Sequence, residues 1–461
     1  MTLPPHTRLV LSALGLCLSG LASASAHAAS PAVSFRQQIA PLLLQQCQTC
    51  HGPTEQKGGY RLDTFDFLSR KDDDGDPPLV PGKPELSDLY RLLVTTEADE
   101  RMPKKAAPLA SELTELVKRW IAEGARFDGD DKTASLVEII PPQTHPKAPE
   151  VYTLPVPVTA LAFSPDGSEL TASGFRELTV WSPEDGKLLR RISNVAPRTF
   201  QIVYGTDGAS IAVASGAPGE FGEVRVYQPK TGEMLRQIVS AADAVLDVKI
   251  SPDGRWIATG GADHYVSIFD FPTGARRHRL AAHSDAVTSV AISQDSKQVA
   301  SVSIDRAAKV FDIQTGKLVA IYRDHQSPLY SVAFAPDGKQ MMTAGYDKSM
   351  HQWNIADAKK QRELALEGNV LRMQVSGDQI YFGGSGKKIG QASVAELKTT
   401  RTLTSIEDWV YALAIHAPTR RLAVGGYDGT ITVWNMEDGK QVAHFSAAPG
   451  YKDKAAVIFA R

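Results

Sequence analysis

The hydrophobic positions follow one pattern in the first part of the chain and another in the remainder. Before residue 125, apolar residues recur three and four positions apart, which is the spacing of an amphipathic helix. Beyond residue 150, short apolar runs alternate with polar turns, which is typical of β-strands. The pattern therefore predicts a small helical region followed by an all-β region. The helical positions are Phe35, Ile39, Leu42 and Leu43 in one segment and Leu113, Leu116, Val117, Trp120 and Ile121 in another.

Start and stop signals delimit the two helices. Ser34 and Gln37 form a capping-box pattern at the start of the first helix, and Pro41 should kink it. Ser111 is a candidate cap for the second helix, and Gly124 stands where that helix should end.

The β region is repetitive. Turn aspartates recur at intervals of 41 to 46 residues, and an aromatic position recurs with them. Each unit reads as four short strands, which is the pattern of a propeller blade. Seven blades are expected, with eight as the alternative. The aspartates are Asp166, Asp207, Asp253, Asp295, Asp337 and Asp378, with a seventh equivalent near Thr419; the second series is Trp181, Tyr227, Phe269, Phe311, Trp353, Ala392 and Trp434.

The sequence leaves the closure of the propeller open. Residues 150–154 could supply the strand that completes the last blade, yet 441–446 also reads as an outer strand, and 455–460 as one strand more. The sixth unit, residues 370–403, departs most from the repeat and is expected to be irregular.

These patterns divide the chain into four parts. Residues 1–28 read as a signal peptide: Arg8 precedes a short apolar run, and small residues stand at a cleavage position near Ala28. A membrane anchor is the alternative, but the run is shorter than the roughly 20 apolar residues that span a bilayer. Export to the periplasm is therefore expected, with no membrane span after cleavage. Residues 29–128 form the helical domain, 129–149 a proline-rich linker that reads as an extended tether, and 150–461 the propeller.

The segment Cys47-Gln48-Thr49-Cys50-His51 carries the clearest chemistry. Two thiols three positions apart can each bond one vinyl group of the same porphyrin, and the adjacent histidine can reach the iron, so the pattern predicts one covalently attached haem c. The alternatives are a redox disulfide or half of a zinc site. Zinc would need two further Cys or His ligands, and His51 is the one histidine between residues 30 and 140.

Elimination suggests the opposite iron ligand. Met102 is the one methionine between residues 30 and 140, and a thioether favours the reduced state of an electron carrier. Met102 precedes Pro103, which restricts the backbone at that step. The alternative is an exposed loop methionine beside a five-coordinate haem.

Composition excludes some other roles. Fifty basic residues stand against fifty-two acidic ones, with no basic run, so no nucleic-acid partner is expected. The acidic segment 71–76 lacks the later glutamate of a helix-loop-helix calcium site and reads as a solvated loop. Five propeller histidines show no spacing that would gather them at one centre: His264, His278, His351, His416 and His444.

Two resemblances follow from these residues. Residues 35–125 resemble the cytochrome c domain of large exported bacterial proteins, in the motif Cys47–His51, in the segments 57–63 and 80–84, and in Met102-Pro103 and 120–125. The resemblance implies His51 and Met102 as axial ligands. Arg61 could contact a haem propionate, since a planar guanidinium suits carboxylates; as a surface arginine it would need no role.

The β units resemble WD repeats across residues 150–450, with Trp353-Asn354 and Trp434-Asn435 where a Trp-Asp pair usually stands. His283 with Asp305, and His325 with Asp347, have the spacing of the hydrogen-bond network in such blades. A structural hydrogen-bond role for these pairs is therefore preferred over metal binding.

The sequence favours a periplasmic protein that transfers single electrons and docks an unidentified redox partner protein on a propeller face. No catalytic residue is assigned, and an electron carrier is favoured over a catalyst. The alternative is an oxidoreductase with a substrate or second cofactor in the propeller and the haem as electron relay. A haem sensor is a third hypothesis, which requires Met102 to be absent from the iron or easily displaced.

Overall fold

The structure, a computed structural model, describes residues 31–451 except 49, 53–55, 71–77, 105–106 and 405, and it omits the side chains of residues 45 and 137. The predicted signal peptide, the acidic loop 71–76 and the strand expected at 455–460 lie outside the described residues. Within the described part of the chain, every helix is too short or too polar to cross a bilayer.

Short helices build the N-terminal domain. A π-helical turn, Phe35–Ile39, runs into α1 with helical backbone angles at Ile39 and Ala40, and Pro41, where a kink was predicted, lies in the first turn of α1. Single 3₁₀ turns cover Lys57–Gly59 and Pro84–Leu86. The α-helices are α1 (Ala40–Gln46), α2 (Phe65–Leu68), α3 (Asp88–Val94), α4 (Ser111–Ala122) and α5 (Leu136–Ile139).

Local hydrogen bonds correct the predicted caps in detail. The Ser34 hydroxyl accepts a hydrogen bond from the amide of Gln37. The reciprocal bond goes from the Ser34 amide to the side-chain oxygen of Gln38, which lies one residue later than the predicted partner. Ser111 is the first helical residue of α4 and does not cap it. Gly124 has φ +101°, which accounts for the glycine just after this helix.

Aromatic packing forms the core of the helical domain. Phe35 lies 5.0 Å from Phe65 and 5.3 Å from Trp120 between ring centroids, and Phe127 lies 4.7 Å from Phe65. The indole nitrogen of Trp120 donates to the carbonyl of Arg126, so the fully buried ring has its polar atom satisfied.

The proline-rich segment is not the extended tether that the sequence predicted. It contains α5, whose Leu136 and Ile139 are buried in the core of the helical domain. The amide of Leu136 donates to the carbonyl of Asp63, and Glu138 forms an ion pair with Arg276 of the propeller. The prolines restrict the backbone, but these apolar side chains decide where the segment packs.

The end of the same segment is bound to the second blade. The buried His145 ring lies 2.8 Å from the carboxylate of Glu223, and the His145 amide donates to the side chain of Asn194. Arg225 pairs with Glu223 at 2.8 Å and donates to the carbonyl of Gln143. A buried charge needs such partners, so this network holds residues 143–145 on the propeller.

Seven four-stranded antiparallel sheets form the propeller, each from four consecutive strands in the described part of the chain. The strands are β1 (Leu161–Phe163), β2 (Leu170–Ser173), β3 (Leu178–Trp181) and β4 (Leu188–Ile192); β5 (Arg198–Tyr204), β6 (Ile211–Ala217), β7 (Phe221–Tyr227) and β8 (Met234–Ala241); β9 (Val245–Ile250), β10 (Trp256–Gly261), β11 (Val266–Asp270) and β12 (Arg276–Leu280); β13 (Val287–Ile292), β14 (Gln298–Ser303), β15 (Ala308–Asp312) and β16 (Leu318–Tyr322); β17 (Leu329–Phe334), β18 (Gln340–Gly345), β19 (Ser349–Asn354) and β20 (Lys360–Ala365); β21 (Val370–Ser376), β22 (Gln379–Gly384), β23 (Ile389–Ser393) and β24 (Thr399–Leu403); and β25 (Val410–His416), β26 (Arg421–Gly426), β27 (Thr430–Asn435) and β28 (Gln441–Ser446).

The repeat signals predicted these blades well. The recurring aspartates lie in the turns between the first and second strands, and the recurring aromatic positions lie on the third strands. The sixth blade, β21 to β24, is regular despite its divergent sequence, so the expected irregularity was wrong. Ala392 replaces the aromatic residue there and is fully buried, which preserves the inward-facing position.

The ring closes by packing between the first and seventh blades. Residues 441–446 form the outer strand β28, whereas residues 150–154 do not join a sheet. The amide of Val158 donates to the carbonyl of Gly426, and the rings of Trp181 and Phe445 lie 5.1 Å apart. The choice between seven and eight blades is therefore decided for seven, with no strand exchange among the described residues.

The predicted histidine–aspartate networks are present. His283 bonds Asp305 at 3.0 Å and the Ser301 hydroxyl at 2.8 Å. In the next blade, His325 bonds Asp347 at 2.5 Å and Thr343 at 2.9 Å.

A second histidine extends the network in the fifth blade. The His351 ring stacks on His325 with centroids 3.8 Å apart and bonds the Tyr322 hydroxyl at 2.8 Å. Burial, followed by the neighbouring His325, lowers the pKa of His351 from 6.5 to about 4.

His145 gives a test of linker docking. We expect His145→Ala to increase the rate of trypsin cleavage after Lys147 by about tenfold, because losing a buried hydrogen bond costs about 1.4 kcal/mol and releases the segment more often. Limited proteolysis followed by mass spectrometry measures this rate. His444→Ala, at an exposed position, serves as the control. Equal cleavage rates in both variants would show that the network does not hold the linker.

His351 makes the stability of the propeller depend on pH. Between pH 6.5 and about 4 the unfolded chain binds a proton that folded His351 does not, so the free energy of unfolding falls as the pH falls through this window. We expect His351→Gln to flatten this dependence by about 3 kcal/mol between pH 7 and pH 4. Denaturant unfolding at several pH values measures it, with His444→Gln as the control. An unchanged slope in His351→Gln would contradict the assignment.

Candidate functional site

The Cys47–His51 segment follows directly from α1. Helical geometry ends at Cys47, whose amide still bonds the carbonyl of Leu43, and the amides of Cys50 and His51 both donate to the carbonyl of Cys47. This turn places Cys47 against the hydrophobic core, while Cys50 is exposed. Burial, with a smaller contribution from Cys50, raises the pKa of Cys47 to about 11, so its thiol is neutral near pH 7.

The His51 ring is oriented by the backbone. Its Nδ1 lies 3.3 Å from the carbonyl oxygen of Tyr60, and the amide of Leu62 donates to the carbonyl of His51. A hydrogen bond from Nδ1 to a backbone carbonyl selects the tautomer in which Nε2 carries the lone pair. His51 is therefore prepared to bind a metal through Nε2.

Polar atoms beside the motif provide a test of whether a haem fits. The Tyr60 hydroxyl and the Gln48 side-chain oxygen are buried and have no hydrogen-bond partner among the described residues. Burial is the main cause that raises the pKa of Tyr60, and the phenol therefore remains a donor. A buried polar group without a partner is costly, so these atoms fit a site completed by a bound group with its own polar edge.

Met102 packs on the same hydrophobic core as Cys47. Its amide donates to the carbonyl of Leu92, and the Met102–Pro103 peptide bond is cis. The predicted thioether ligand and one predicted attachment residue are thus both partly buried against the same core, as are Tyr60, Tyr90 and Leu109. Binding of the Met102 sulfur to iron remains a prediction.

Arg61 is already paired in this structure. Its guanidinium bonds both carboxylate oxygens of Asp63, at 2.8 and 2.7 Å, and lies 3.6 Å over the ring of Phe67. The hydrogen bond to Asp63 raises the pKa of Arg61. The predicted contact to a propionate remains untested, and it would require Arg61 to share its guanidinium with Asp63.

The histidine pair of the fifth blade is the other group with potential metal ligands among the described residues. Ligand atoms of His325, Asp347 and His351 all lie within 4.8 Å of one another. The two rings are stacked at an interplanar angle of 16°, so their in-plane lone pairs cannot converge on one ion. Asp347 and Tyr322 already occupy the two Nδ1 atoms. The cluster is a hydrogen-bond network. His351 was not assigned to this network from the sequence, because the position of His351 does not recur in the other repeats.

Comparisons with known families agree with this division of the chain. Residues 47–106 match the model described as Planctomycete cytochrome C. The model described as WD domain, G-beta repeat matches residues 232–270, 274–312, 316–354 and 397–435. A search of curated proteins finds no match.

The matched WD segments are offset from the blades by one strand. The first of them, 232–270, begins with the outer strand β8 of the second blade and continues through β9, β10 and β11 of the third. Each repeat therefore links two neighbouring blades, which stabilises the order of the ring. From the helical site, the seven blades and these matches together, the chain is a cytochrome c domain fused to a WD-repeat β-propeller.

Proposed function

We propose that this chain is an exported electron-transfer protein that carries one covalently attached haem c and uses its propeller to dock a redox partner protein. The observation that carries the proposal is the orientation of His51 by the Tyr60 carbonyl within the attachment motif. A c-type haem supplies reversible one-electron chemistry when bound.

The residues of the chain would divide the work at this site. Cys47 and Cys50 would each add a thiol to one vinyl group, with the sulfur bonding a vinyl carbon and the proton passing to the other carbon. His51 Nε2 and the Met102 sulfur would hold the iron. The core beneath them, with Phe35 and Trp120 fully buried, excludes water from that side of the site.

The propeller supports the docking part of the proposal. Matches to WD repeats, which commonly bind proteins, cover four of its units. Tyr346 and Tyr427 are exposed in loops between strands of the fifth and seventh blades, and aromatic residues of this kind are enriched in protein interfaces. The docked linker would limit the movement of the haem domain relative to this platform.

Export is the part of the proposal that rests on the sequence of residues 1–28. A c-type haem is compatible with an oxidising compartment, and the two described cysteines form no disulfide with each other. In the oxidoreductase alternative, substrate would bind in the propeller channel. We favour electron transfer because the attachment motif and the orientation of His51 by the Tyr60 carbonyl support it directly.

Carbon monoxide binding tests the axial ligands. We expect the reduced holoprotein to keep its absorption spectrum under carbon monoxide, because both axial positions are held. Met102→Ala should open one position and give a rapid spectral shift. Leu109→Ala, which removes a partly buried side chain from the same core, is the matched control and should behave like the unchanged protein. A rapid shift in the unchanged protein would remove Met102 as a ligand and favour the sensor or enzyme hypotheses.

Intact mass tests attachment and processing together. Expressed in a host that matures c-type cytochromes, the protein should have the mass of residues 29–461 plus one haem. The double variant Cys47→Ala and Cys50→Ala should lack the haem mass while the signal peptide is still removed. Retention of residues 1–28 would contradict export with cleavage, and an unmodified mass in the unchanged protein would contradict covalent attachment.

A further inference from the structure

The axial channel of the propeller encloses a small polar cavity. All seven inner strands, or the residues just before them, contribute to its wall, and its volume is about 40 Å³. One water needs roughly 10–15 Å³ on this scale, so the cavity has room for about three waters or for one small ion. Its charged lining comes from Asp247, Lys249 and Arg372.

Asp247 is fully satisfied within the wall. One carboxylate oxygen accepts from the Val248 amide at 2.8 Å, the Lys249 ammonium at 2.7 Å and the Gln201 side chain at 3.1 Å. The other oxygen accepts from the Ser289 hydroxyl and from the amide of Val290, both at 2.9 Å. Five donors and the nearby cations outweigh burial and lower the pKa of Asp247, so it carries a full negative charge.

Arg372 has no comparable partner. Its guanidinium donates to two backbone carbonyls, of Leu371 at 3.1 Å and of Phe200 at 3.4 Å. A guanidinium has five N–H donors, so three have no recorded protein acceptor in the described part of the chain. Asp247 is the one carboxylate whose charge acts on Arg372, and its oxygens are already occupied by other donors.

The charges in the wall therefore do not balance. Lys249 and Arg372 contribute two positive charges and Asp247 one negative charge, which leaves one positive charge beside the cavity. The Lys249 side chain is 33% exposed and Arg372 is partly exposed, so water reaches these cations, and a small anion entering the same space would gain charge-assisted hydrogen bonds from both.

We propose that the axial channel binds one small monovalent anion beside Arg372 and Lys249. The net charge of the wall matches a single negative charge, and the volume excludes larger organic anions. The planar guanidinium suits an oxyanion by paired N–H donation, and the ammonium suits any small anion as a point charge. The proposal concerns the propeller alone and does not depend on haem binding.

Titration calorimetry of the holoprotein tests the proposal. The protein is equilibrated in sodium gluconate, whose anion is too large for the cavity, and sodium nitrate is titrated at constant ionic strength. We expect saturable binding with one nitrate per chain and competition by chloride. Haem absorption recorded in parallel should not change. This control distinguishes nitrate binding in the channel from nitrate binding at the haem iron.

Two variants locate the site. Arg372→Gln should weaken nitrate binding at least about tenfold, because one charge-assisted interaction is lost. Arg420→Gln, at an exposed arginine paired with Glu437, is the matched control and should bind like the unchanged protein. If Arg372→Gln does not fold, Lys249→Gln provides the same test. Absence of saturable heat in the unchanged protein, or unweakened binding in whichever channel variant folds, would overturn the proposal.

Discussion

Closure of the propeller depends on noncovalent packing between its first and last blades. Each blade takes its strands from consecutive residues, so neither blade lends a strand to the other in the described chain. Backbone contact at Val158 and Gly426, the Trp181–Phe445 pair and the ion pair between Arg421 and Glu184 carry that seam. Once the ring is closed, the inner strands are held at fixed positions around the axis, and these positions determine which side chains meet in the channel.

The closed ring explains both the linker contact and the channel charges. His145 docks on a blade edge that is already rigid, so a short segment can be bound by a few buried hydrogen bonds. In the channel, Asp247 and Arg372 come from the third and sixth blades, and the ring brings them close enough for their charges to interact. Neither feature could exist in an isolated blade.

The haem site depends on a smaller and different core. Trp120, Phe35 and Phe65 hold α4 against the N-terminal helical turn, and they belong to the core against which Cys47 and Met102 pack. His51 is positioned by local backbone geometry, through the carbonyl of Tyr60 nine residues later. The predicted site therefore combines a local turn with a methionine from a distant segment.

Features that repeat, or that involve residues close together in the chain, could be predicted from the sequence. The motif at 47–51, the helical periodicity and the turn aspartates act through local spacing, so the fold class and the blade strands could be predicted from it. Tertiary structure decided the blade count, the packing of α5, the pairing of Arg61 with Asp63 and the stacking of His351 on His325. It also decided the charge balance around Arg372, because residues 247 and 372 are brought together only when the ring closes. No spacing along the chain encodes such contacts, since their energy depends on burial and on partners that folding alone supplies.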